Sequence, residues 1–75
     1  MSKEIMEIVE RFRKIMGPVA ATLAREAAME SGGRVEGEKI IIEDKKVLKE
    51  FKKKMKEKCG KIIGEDLADN ILKGE

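Results

Sequence analysis

The sequence predicts a mostly α-helical domain with one small β-hairpin, three to four helices packed as two helix–Gly–helix halves around that hairpin. Three observations predict it. Apolar residues recur at spacings of three and four toward both ends of the chain, which is the period of an amphipathic helix. Glycines, one followed by the only proline, interrupt those runs. Around Gly37 the period changes to alternation, the period of a strand. A chain of 75 residues has room for one domain.

The first helix is expected over residues 3–16. Ile5, Ile8, Val9, Phe12, Ile15 and Met16 share one face. Glu4, Glu7, Arg11 and Lys14 fall on the other, with Glu7–Arg11 and Glu10–Lys14 as acid-first pairs four apart. Ser2 is placed to cap it. Gly17-Pro18 ends this helix and opens a second over residues 18–30, because proline has no amide hydrogen and suits a first helical position. Its expected inner face is Val19, Ala20, Leu23, Ala24 and Ala27. Ser31-Gly32-Gly33 closes it.

Residues 34–43 read as the hairpin, turning at Gly37, with Ile40 and Ile42 on one side and Ile41 on the other. Asp44 is the expected N-cap of a helix over residues 45–59, whose inner face is Val47, Leu48, Phe51, Met55 and Cys59. Gly60 and Gly64 break or bend the pattern before a last helix over residues 62–73. There Ile62, Ile63, Leu67, Ala68, Ile71 and Leu72 extend the apolar stripe, and Glu65 and Asp66 suit the positive end of a helix. The pattern leaves open whether these last helices are separate or one bent rod. A shift of 43 residues superposes the halves: Ile5 on Leu48, Ile8 on Phe51, Phe12 on Met55, Met16 on Cys59, Gly17 on Gly60 and Val19 on Ile62. Two such halves would pack face to face as a four-helix arrangement.

Composition narrows the chemistry. There is no His, Trp, Tyr or Gln, so a histidine-based triad, a histidine metal site and an aromatic stacking platform are excluded. Abundant Lys and Glu with a single Asn match a thermophile's usage. The lone Cys59 excludes an intrachain disulfide and points to a reducing cytoplasm and a buried structural thiol. No apolar run exceeds Ile40-Ile41-Ile42, so neither a signal peptide nor a membrane span is expected.

Met16-Gly17-Pro18-Val19-Ala20, then Phe51, then Gly60-Lys61-Ile62-Ile63-Gly64-Glu65-Asp66-Leu67-Ala68, resembles a short helical domain of prokaryotic regulatory proteins that carry roadblock-type or response-regulator modules. The resemblance spans nearly the whole chain. It implies a helical interaction module and brings no catalytic residues.

Net charge is only +2, but residues 45–61 hold nine lysines against Glu50 and Glu57, a local +7. Residues 62–75 are acidic. Lys46, Lys49, Lys53 and Lys56 form a stripe opposite the apolar face, with Glu50 and Glu57 expected to pair with Lys54 and Lys61. Such a stripe either stays solvated or tracks DNA phosphates through counterion release. Arg34 and Lys39 of the hairpin are the wing contacts of a winged-helix-like alternative, in which the second helix exposes Thr22, Arg25 and Glu26 beside Ala21. Ile41 and Met29 are candidate homodimer contacts, since both point off the inner faces. The carboxylates Glu36, Glu38, Glu43 and Asp44 have no pocket around them; Glu65, Asp66 and Asp69 are a candidate set for a divalent cation, but a helix start explains the first two more simply. The expectation is a non-enzymatic, homodimeric protein–protein interaction or regulatory module with no cofactor and no membrane partner. DNA binding through lysines is the alternative.

Overall fold

The computed structural model describes residues 2–37 and 39–73, without the side chain of Ser2. The Ser2 cap and the Glu38 carboxylate lie outside the described residues. The elements are α1 (Ser2–Met16), α2 (Val19–Glu30), β1 (Arg34–Glu36), β2 (Lys39–Ile41), α3 (Lys45–Ile63) and α4 (Glu65–Lys73). The predicted class, mostly α with a small hairpin, is the one observed.

α1 buries Ile5, Ile8 and Phe12, with Val9 and Met16 partly covered. Ile15, expected on the same face, is 50% exposed, because the stripe drifts around the helix by the last turn. Gly17 ends α1 at φ +78°, its amide donating to the Arg13 carbonyl at 2.8 Å. Pro18 sits one position before α2 rather than inside it. The inner face of α2 is Ala20, Ala24, Ala27 and Ala28. Of the expected face, Val19 is exposed, whereas Leu23 is half-buried and packs against the core. An all-alanine face lets neighbouring helices close in, since interaxial distance follows side-chain size.

β1 and β2 pair antiparallel with Val35 opposite Ile40. The strands are shorter than the expected span of residues 34–43, but the alternation holds: Ile40 and Ile42 are buried and Ile41 half-buried. A two-stranded ribbon needs packing to persist, and this one lies against α1 and α2. A Cβ on Gly33 would stand 3.0 Å from Ile42 Cγ1 and 3.2 Å from the Ala28 carbonyl, so glycine lets the hairpin tuck against the end of α2.

Asp44 caps α3 as predicted, its Oδ1 accepting from the Lys46 amide at 2.7 Å. α3 buries Leu48, Phe51, Met55 and Cys59. The expected break at Gly60 is not where the chain turns: α3 runs through Gly60 to Ile63, and Gly64, at φ +94°, is the turn. The last two helices are therefore separate, α4 starting at Glu65 rather than residue 62. Gly60 has another purpose. A Cβ there would stand 3.3 Å from Glu65 Cα, so its bareness admits the start of α4. In the internal repeat, the structural counterpart of Gly17 is thus Gly64.

α2 and α3 run antiparallel, as the pairs Glu30–Lys54 and Glu26–Lys58 show. α1 packs on α2 and α4, and α3 on α2 and α4, which closes a four-helix ring around Phe12, Phe51 and Met55.

Candidate interaction surfaces

The α3 lysines divide into two sets. Lys52 donates to Glu4 Oε1 of α1 at 2.6 Å, and Lys58 reaches Glu30 at 2.7 Å and Glu26 at 3.7 Å. Lys54 also reaches Glu30, at 3.9 Å, rather than the expected Glu50. Lys56, one of the four stripe residues, is half-buried and 3.8 Å from Asp69, which itself pairs with Lys73 at 2.9 Å. These lysines tie α3 to its neighbours. The hydrogen bond from Lys52 holds the Glu4 carboxyl below its ordinary value, and those from Lys58 and Lys73 do the same for Glu30 and Asp69. Lys58 is raised in turn, chiefly by its hydrogen bond to Glu30.

Lys46, Lys49 and Lys53 remain exposed, with no carboxylate within 4.0 Å among the described residues. Their seven-residue span is about 10 Å of helix. Lys49 and Lys53 border a shallow cleft shared with Glu4, Glu50 and Asp69, so the basic stripe faces a surface of mixed sign. The other proposed nucleic-acid contacts do not join it. Arg34 is on the hairpin, 3.9 Å from Glu43, and Lys39 stands on a different groove. On α1, Arg11 pairs with Glu7 at 3.8 Å as expected, whereas Glu10 takes Arg13 at 3.2 Å instead of Lys14.

That second groove runs along the outer side of the α1–α2 pair and ends at β2. Its floor is apolar, from Ile5, Val9, Ala21 and Ile40. Met6, 68% exposed, forms one wall. Pro18, with Thr22 and Arg25 of α2, forms the other, with Arg13, Glu10 and Lys39 on the rim. On α2 the series Thr22, Arg25, Met29 continues at helical spacing, which sets Met29 on the same outer face. Met29 is 60% exposed, as its role as a candidate dimer contact requires. Ile41 is half-buried by the packing of the hairpin, so it offers less surface than expected. Sequence reasoning missed Met6 and the groove. The available signal was an apolar residue standing between Glu4 and Glu10, off the inward stripe.

Cys59 is fully buried, and burial pushes its thiol up to about 11, as suits a core residue. Among the described residues no cluster of three potential ligands could hold a metal ion, and no helix is long and apolar enough to cross a membrane. Comparison with protein-family models, with curated proteins and with solved structures found no match.

Proposed function

We propose that this chain is a non-enzymatic protein–protein interaction module of the cytoplasm, and that the outer α1–α2 groove is its docking face. One observation carries the reading: Met6 and Met29, two of the most exposed large apolar side chains, stand on the outer side of the same helix pair, beside an apolar floor. Exposed methionines are adaptable contacts, because an unbranched thioether reshapes to its partner. The likeness to a helical domain of prokaryotic regulatory proteins agrees with this use. A homodimer would instead use Met29 and the open part of Ile41, which alternates with Ile40 and does not line this groove.

A photoreactive residue placed at position 6 tests it in cells. Protein adducts at position 6, and none from a control at Glu57 on α3, are the expected result. Absence of protein adducts at position 6 would remove the docking face.

DNA binding is the second reading, favoured by the exposed Lys46, Lys49 and Lys53, which have no carboxylate within 4.0 Å among the described residues. Three phosphate contacts would give affinity that falls with salt at a slope of about −3 in logarithmic terms. α3 offers no Arg, Asn or Gln toward base edges, so this binding would carry little sequence preference.

A further inference from the structure

From the charges around the α1–α2 groove we infer its occupant: an amphipathic helical segment whose apolar face is flanked by Asp and Glu. The inference rests on the docking reading above and adds the chemistry of the partner. Among the described residues, four ionisable groups border the groove, and three are cations: Arg13, Arg25 and Lys39. The one acid among them, Glu10, is already engaged by Arg13 at 3.2 Å. Arg25 and Lys39 have no carboxylate within 4.0 Å among the described residues.

The cations are also spread along the groove. Arg13 stands near the Gly17 turn, Arg25 midway along α2, and Lys39 at the hairpin end. From Met6 to Arg13 is two helical turns, about 10 Å. A docked helix would lay apolar side chains at positions i, i+3 or i+4, and i+7 between Met6 and the Ala21 floor. Its carboxylates would then meet Arg25 and Lys39 at the margins, where opposite charge steers approach and fixes register.

Other occupants fit less well. A phosphate backbone would leave the apolar floor uncovered. A second copy, related by a two-fold axis, would set this cationic rim against itself. The chain's own acidic helix is engaged elsewhere, Asp69 being held by Lys73 and Lys56.

The test uses the full chain and two synthetic peptides of about four helical turns. Both carry leucines at the same helical spacing, one flanked by glutamates and its twin by lysines. Fluorescence anisotropy should show the acidic peptide binding at least about tenfold tighter than the basic one, as for a favourable charge difference of about 1.4 kcal/mol. Arg25→Glu with Lys39→Glu should reverse that order, and Met6→Asp should weaken both peptides, with helical circular dichroism kept in every variant. Equal binding of the two peptides, tighter binding of the basic one, or no binding of either would overturn the inference. Sedimentation of the chain alone decides the remaining occupant: a dimer dissolved by Met6→Asp would replace the acidic helix by a second copy and leave the docking face standing. If the peptides fail and position 6 also yields no adducts in cells, the docking reading fails with it.

Discussion

Gly17 and Gly60 occupy matching places in the sequence and do different physical jobs. Gly17 and Gly64 adopt the left-handed backbone of a turn with open space around them, whereas Gly60 is helical and crowded by Glu65. Gly64→Ala is therefore expected to lower stability by about 1–2 kcal/mol through backbone strain. Gly33→Ala should cost about 1–3 kcal/mol for a different reason, the approach of Ile42 and the Ala28 carbonyl. Both losses are readable as shifts of the denaturation midpoint. An unchanged midpoint in either variant would contradict the corresponding account. At Cys59 the thiol is raised from 9.0 to about 11 in the folded chain. Folding then favours the protonated thiol, so that contribution is full below pH 9 and is lost as pH rises toward 11. Lys58, also raised, loses its share on the same alkaline side. A Cys59→Ala chain should show a shallower alkaline decline than the parent when unfolding is followed between pH 8 and 11.

For the helices, the inner faces of α1 and α3 were legible because Ile5, Ile8 and Phe12, and Leu48, Phe51 and Met55, repeat with one period on residues that few environments but a core accept. Phe51→Ala should cost about 3–5 kcal/mol, a large part of the stability of a domain this size. Ile15→Ala and Ile62→Ala, apolar by sequence but 50% and 58% exposed, should change stability by less than about 0.5 kcal/mol. A large loss at either would mean that the residue is covered after all. What the pattern could not supply was the exact end of each stripe. Apolar periodicity runs on through Ile62 and Leu67, and only the backbone of Gly64 decides where the rod folds back. The pairing of charges was equally hidden. Local spacing suggested Glu50–Lys54, but the packing of α2 on α3 gives Lys54 to Glu30. These inter-helix pairs make an acid-side prediction. Glu4, Glu30 and Asp69 are lowered in the folded chain, so their contribution is present above the ordinary carboxylate range and is lost as pH falls through their folded values. Glu30→Gln should flatten the stability profile below pH 4.5.

Across the whole molecule, two surfaces compete for a functional reading. One of the four stripe lysines proves to be mortar between helices, Lys56 being bound to Asp69, and this could not be seen until α4 was placed beside α3. The groove was illegible for a related reason: it is made by α1, α2 and β2 together, and no single segment carries its signature. Replacing Lys46, Lys49 and Lys53 with Glu should leave helicity and any protein adducts at position 6 intact. A DNA gel shift abolished by that change, with no adducts at position 6, would move the function to the lysines. The four helices close over Met55 and leave Met6 and Met29 outside on one helix pair. Methionine-methyl NMR in the presence of a soluble paramagnet tests it in one spectrum. Met6 and Met29 should broaden strongly, half-buried Met16 less, and Met55 hardly at all. A Met55 signal as broadened as Met6, or a Met6 signal protected in the monomer, would mean that the helices do not close in this way.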